Sequence, residues 1–210
     1  MPKRKPKGHS RNGTTSPAVV GLDEALARAG VPTTWDVLIV GDGAGCWWDK
    51  VCGWGCTLID RHLGRRRAFY GGLSSGSIAI AELLPTVHAM LWYDEFQGKA
   101  ARQRLGRPVL NVHVITDSET TFHHAAALAP GPKTAKLRRE RPLWNVLIQL
   151  ERAGYLFQFH WVPRQSLGLN ILGDRVAGIA SKTIAQFRLD PDDHDGRALD
   201  REIYMINPSP

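Results

Sequence analysis

The sequence predicts an α/β fold: a five-stranded mixed sheet, three antiparallel strands followed by parallel ones, flanked by helices. Three observations predict it. Between Trp35 and Tyr70, three short apolar, β-branched or aromatic runs follow one another with only short turns, which suits an antiparallel meander. Later strand-like runs at 109–116 and 155–162 are each reached through helical segments, which suits parallel pairing. The chain has 210 residues, 43% of them hydrophobic, so one domain with a sizeable core fits within it.

The elements follow in order. Asp23 to Gly30 reads as a short helix, with acids at its start and glycine at its end. Trp35 to Val40 is a buried strand, and Gly41 to Gly45 is expected as a tight segment ending it. Gly53 to Asp60 and Arg65 to Tyr70 are two more strands around a turn at His62 to Gly64. Ser77 to Phe96 carries Ile80, Leu83, Leu84, Val87, Met90 and Leu91 at helical spacing, with Pro85 expected to kink it or mark its first turns. Gly98 to Pro108 reads as a basic connector. Val109 to Thr116 alternates like a strand, Thr120 to Leu128 looks helical, and Pro130 to Pro142 is a basic loop. Leu143 to Ala153 is a helix, Tyr155 to Val162 a strand, and Asn170 to Phe187 a final helix. The domain plan is therefore a disordered basic arm at 1–16, a short helix and lead-in at 17–34, an α/β domain at 35–187 and an acidic tail at 188–210.

Charge narrows the partners. The net charge is +7. The arm contributes +5, the tail −3, and residues 17–187 another +5, so the body itself is basic. That balance suits a polyanion. No apolar run reaches the roughly 20 residues that span a bilayer, and no apolar signal core opens the chain, so no membrane role is expected. Cys46, Cys52 and Cys56 are separated by five and three residues and complete no zinc site; they read as reduced thiols of a cytoplasmic protein. The tail acids miss a calcium loop, because the register set by Gly196 and Glu202 puts Pro191 at the first ligand position.

Four acids stand in unusual contexts. Asp42 lies in VGDGAG just past a buried strand. Glu82 interrupts the apolar helix IAIAELL. Asp117 ends a strand in VITDSE, and Asp174 lies in NILGDRVAGIA. Singly, three of them have ordinary explanations: a turn former at Asp42, a helix cap at Asp117, a surface helix residue at Asp174. Jointly they matter, because carboxylates in apolar surroundings need cations or donors. Sites in open α/β sheets form outside the carboxyl ends of strands. If those ends are adjacent and the two helices pack over them, the four carboxylates converge, and hard oxygen ligands at that density suit magnesium or manganese.

With these residues in view, the chain resembles the ribonuclease H family of the type-one lineage, from about Trp35 to Ala180, about 70% of its length. VGDGAG with the following GWG, SIAIAELL, VITDSE, and HWVPRQ followed by NILGDRVAG carry the resemblance, VITDSE most specifically. The separations of 40, 35 and 57 residues between successive acids also fit, with an insertion near Asp94 to Pro108. The resemblance implies a ribonuclease H-like fold and metal-dependent endonuclease activity on the RNA strand of an RNA–DNA hybrid. It implies two Mg2+ (or Mn2+) ions with substrate bound. Asp42 would bridge them, Asp174 would hold the ion of the attacking water, and Glu82 and Asp117 the ion on the leaving-group side. One departure stands out. The loop before the last acid reads Pro163-Arg164-Gln165-Ser166, without the histidine the family often carries there. His160 lies inside the strand pattern and reads as structural.

Substrate contacts are expected from the backbone of Gly43, Ala44 and Gly45, from Lys136, Arg138 and Arg139 in the basic loop that also holds Lys133 and Arg141, and from Arg164 and Gln165. Trp47 and Trp48 are candidates for packing against sugars, and Arg65, Arg66 and Arg67 are weaker phosphate candidates. Three alternatives remain: a nuclease of the same fold acting on branched or duplex DNA, a proofreading-type exonuclease, and a noncatalytic nucleic-acid-binding module. The exonuclease would want a second acid two residues after Asp42, where Ala44 stands.

Overall fold

The computed structural model describes residues 17–46, 51–73, 76–127, 140–163 and 177–178. Five strands form one sheet: β1 (Val37–Cys46), β2 (Val51–Asp60), β3 (Arg65–Leu73), β4 (Leu110–Thr116) and β5 (Tyr155–Trp161). Their order is β3-β2-β1-β4-β5. The β1–β2 and β2–β3 pairs are antiparallel; β1–β4 and β4–β5 are parallel. The mixed sheet matches the sequence expectation in strand number and direction.

The central strands are apolar on both faces, as a covered sheet requires. On one face Val37, Ile39, Leu58, Val112 and Val114 meet α2 (Ile78–Tyr93) and α5 (Arg141–Arg152) through Val87, Met90, Trp144 and Leu147. On the other, Leu38, Val40, Ile59 and Ile115 meet Leu26 of α1 (Pro17–Arg28) with Val31 and Trp35. The lead-in before the first strand is therefore part of the core. At the edge, β3 exposes Arg65, Arg66 and Arg67, charges that discourage pairing with another chain.

Three expectations need correction. First, Gly41 to Gly45 is not a turn. Strand β1 runs through it to Cys46, pairing Gly41 with Cys56 and Gly45 with Cys52. Glycine has weak strand preference, but helix α2 lies so close that at Gly41 and Gly43 a side chain would not fit. A Cβ at Gly43 would sit 2.6 Å from the Ala81–Glu82 backbone. Second, of the two roles read for Pro85, marking the first turns of α2 does not hold: the proline lies inside the helix, as read, and the helix runs on past it to Tyr93. Third, the expected connector at 98–108 is mostly helix: a π-helical turn (Asp94–Gly98) leads into α3 (Lys99–Leu105), which ends at Gly106 with φ 64°. The π turn accommodates Tyr155. Its hydroxyl donates to Asp94 Oδ1 at 2.7 Å, and a Cβ on Gly98 would lie 1.9 Å from the Tyr155 hydroxyl oxygen. Lys, Ala, Arg and Gln are good helix formers, so the continuation costs little locally.

Candidate metal centre

The site is assembled by sheet register. In the parallel pair, Val40 stands beside Ile115. Carrying the same offset two residues on brings Asp42 beside Asp117, which directly follows β4. Asp42 lies within β1, not past it, and is 5% exposed. Glu82 comes from α2, and the missing side chain of Gly43 is what lets that helix settle against β1. One ligand oxygen from each of Asp42, Glu82 and Asp117 lies within 4.8 Å of the others.

Asp117 is held through its main chain. Val162 N–H donates to the Thr116 carbonyl at 3.0 Å, and Trp161 Nε1 donates to the Asp117 carbonyl at 3.1 Å. Ser118 N–H donates to Thr116 Oγ1 at 3.1 Å. Ser118 Oγ accepts from Thr121 N–H at 3.2 Å, so Ser118, rather than Asp117, caps α4 (Glu119–Ala127). Three carboxylates at this separation repel one another by about 3 kcal/mol per pair at an effective dielectric constant near 20. A divalent cation removes that penalty, and an all-oxygen donor set fits magnesium or manganese. The residues present fit such an ion.

The other sequence candidates divide. Asp174, Lys136, Arg138, Arg139, Arg164 and Gln165 lie outside the described residues, as do Lys133, Trp47 and Trp48 and the two charged termini. Of the glycine-rich run, Gly43 is buried against α2, Ala44 is half-buried and Gly45 is exposed. Gly43 thus serves helix packing. Arg141 opens α5 and is exposed. His160 lies in β5 as read from the sequence, and its ring centroid lies 4.8 Å from that of His113, the two planes tilted by 44°.

Some residues were missed. Trp161, Thr116 and Ser118 support Asp117, and only the T-D-S cap pattern before a helix signals any of them. Asp36 and Asp60 are also buried, 3% and 2% exposed, yet they lie at the other end of the sheet. Asp36 accepts from Asn111 N–H at 2.7 Å and from Arg107, with His62 Nε2 at 2.7 Å. Asp60 accepts from the N–H groups of His62 and Leu63 at 2.8 Å each and from the Tyr93 hydroxyl at 2.7 Å.

Strand order, the carboxylates at the strand ends and the covering helices define the class: the chain has the RNase H-like fold. Solved structures share it. The N-terminal RNase H domain of Rv2228c from Mycobacterium tuberculosis, fused to maltose-binding protein, is 19% identical with TM-score 0.51, over 72% of this chain and 97% of that one. RNase H1 from the halophilic archaeon Halobacterium salinarum NRC-1 is 18% identical with TM-score 0.52, over 70% and 98%. LC11-RNase H1, in complex with an RNA/DNA hybrid, is 17% identical with TM-score 0.52, over 71% and 99%. No protein-family model matches the chain. No curated protein matches it in sequence. Among the described residues, no helix is long and apolar enough to cross a membrane.

Proposed function

We propose that this chain is a metal-dependent endoribonuclease that hydrolyses the RNA strand of RNA–DNA hybrids. The observation that carries this reading is the convergence of Asp42, Glu82 and Asp117 within 4.8 Å, at the carboxyl ends of parallel strands in an RNase H-like fold. A neighbour of the same fold described in complex with an RNA/DNA hybrid supports the substrate class. Asp42, Glu82 and Asp117, with Asp174 as the fourth acid, would hold Mg2+ or Mn2+, two ions with substrate bound. Bound there, the ions would offset charge on the attacking and leaving oxygens of the phosphodiester.

The chain's own contribution is placement. Strand β1 holds Asp42 by its pairing with β2, the β4–β5 hydrogen bonds hold Asp117, and α2 carries Glu82 in against Gly43. Lys136, Arg138, Arg139, Arg164 and Gln165, with the backbone at Ala44 and Gly45, are the proposed substrate contacts; phosphate contacts of this kind set position rather than sequence. A module that only binds nucleic acid would gain nothing from three mutually repelling carboxylates. The disulfide-free, buried Cys52 and Cys56 suit a cytoplasmic setting.

The test is cleavage of a labelled RNA–DNA hybrid, beside matched duplex DNA, duplex RNA and branched DNA, with Mg2+ or Mn2+ and with chelator. Metal-dependent cutting of the hybrid RNA strand that Asp42→Asn abolishes supports the reading. Preferential cutting of branched DNA would transfer the site to a DNA substrate, and tight hybrid binding without turnover would leave a binding module.

A further inference from the structure

We propose that Trp161 is a positioning residue for Asp117, aiming that carboxylate into the acidic cluster; the inference rests on the metal-centre reading above. Trp161 ends β5 and pairs with Thr116, the last residue of β4. Its indole is 40% exposed, so burial alone does not account for its orientation. What orients it is the 3.1 Å hydrogen bond from Nε1 to the Asp117 carbonyl. The next residue, Val162, donates its N–H to the Thr116 carbonyl at 3.0 Å. Two successive carbonyls at the β4 exit are therefore tied to Trp161, the last residue of β5, and to Val162 just after it. Beyond Asp117 the chain turns at once into the Ser118 cap of α4. With the peptide before Asp117 and its own carbonyl both anchored, the Cα–Cβ direction of Asp117 is set before any ion arrives. Without the indole bond, the Asp117 carbonyl can rotate and the carboxylate with it, a loss that the partners orienting metal ligands elsewhere lead one to expect.

The experiment is calorimetric titration of the full chain with Mn2+, without substrate, for the unmodified protein, Trp161→Phe and Asp117→Asn. Phenylalanine keeps most of the aromatic surface and removes the donor. Trp161→Phe should weaken Mn2+ binding about 10-fold. The Tm of the metal-free protein should fall by less than about 4 °C, the size of one neutral hydrogen bond in a small domain. In hybrid cleavage, the Mn2+ concentration for half-maximal rate should rise about as much, while kcat at saturating Mn2+ stays within about 2-fold, since the ion restores the geometry it needs. Unchanged Mn2+ affinity in Trp161→Phe, with affinity lost in Asp117→Asn, would overturn the positioning role and leave the metal centre standing. A Tm loss above about 10 °C with kcat not restored by Mn2+ would make Trp161 a structural residue and overturn it too. Failure of the unmodified protein to bind Mn2+ at all would overturn both.

Discussion

The two ends of the sheet both bury carboxylates, and they treat them in opposite ways. At the end where β2 turns into β3, Asp36 and Asp60 are each enclosed by donors: backbone N–H groups, Arg107, His62 and the Tyr93 hydroxyl. At the other end, Asp42, Glu82 and Asp117 face one another within 4.8 Å. An acid surrounded by donors ties the fold together. Acids this close to one another could share a cation. Burial alone therefore does not mark a functional carboxylate; the identity of its neighbours does.

The sharpest way to break this contrast is to remove one acid from each end. Asp42→Asn should lower metal-dependent hybrid cleavage by about 1,000-fold, the scale of several kcal/mol of lost charge stabilisation, in a single-turnover assay. The same change should leave the metal-free Tm unchanged or raised, because one repulsive charge is gone. Asp60→Ala should do the reverse. It leaves two N–H groups and a hydroxyl without their acceptor, which costs about 3–5 kcal/mol in urea unfolding, while folded protein at low temperature retains metal affinity.

A second test joins the fold to the site. Gly43→Ala forces the Ala81–Glu82 backbone away from β1 and should cost about 1–3 kcal/mol. Because Glu82 moves with that helix, metal affinity should fall in the same variant. Stability lost with affinity intact would separate the packing of α2 from the placement of Glu82.

Between the two ends lies a titratable pair. His113 is fully buried, and its pKa is lowered from 6.5 to about 4, by burial first and then by repulsion from His160. The Pro32 carbonyl favours the charged form, although it falls outside hydrogen-bond geometry to either ring nitrogen. Burial lowers His160 as well. A folded pKa below the unfolded one means that the unfolded chain binds more protons between these values. Stability from this pair is thus complete above about pH 6.5 and is lost as pH falls toward about 4. Urea midpoints from pH 7 to 5 should fall, and His113→Gln should flatten the dependence relative to the unmodified chain. The smallest expected effect is at the cap of α4, where Ser118→Ala should cost about 1 kcal/mol by thermal unfolding.

Much of this was legible in the residues. The strands were readable as apolar and β-branched runs, and the α2 periodicity named the helix that carries Glu82. Asp42 and Asp117 were visible as acids just past apolar strand runs. The parallel register then made their 75-residue separation meaningful, because β1 and β4 pair at that same offset. The extension of β1 through Gly41 to Gly45 was not legible. Glycines read as a turn until a helix is seen lying against them. The helical stretch after Gly98 was hidden for a similar reason: its π turn answers to Tyr155, a residue 57 positions away. Asp36 looked ordinary because its donors, His62, Arg107 and Asn111, lie far along the chain, and Asp60 because its two N–H donors belong to the adjacent turn while only the Tyr93 hydroxyl is distant.

By itself, the sequence determined the cores of the five strands and the presence of helices α2, α4 and α5, and that acids stand beside the apolar strand runs and on α2. Those are matters of local periodicity and side-chain type, which short windows of sequence record. Only the tertiary structure decided that Asp42 and Asp117 are neighbours, that Gly43 brings Glu82 to them, and that Trp161 ties Asp117 down. Distances between residues 35 to 75 apart are set by sheet register and helix packing, and those arise only when many weak contacts are satisfied together.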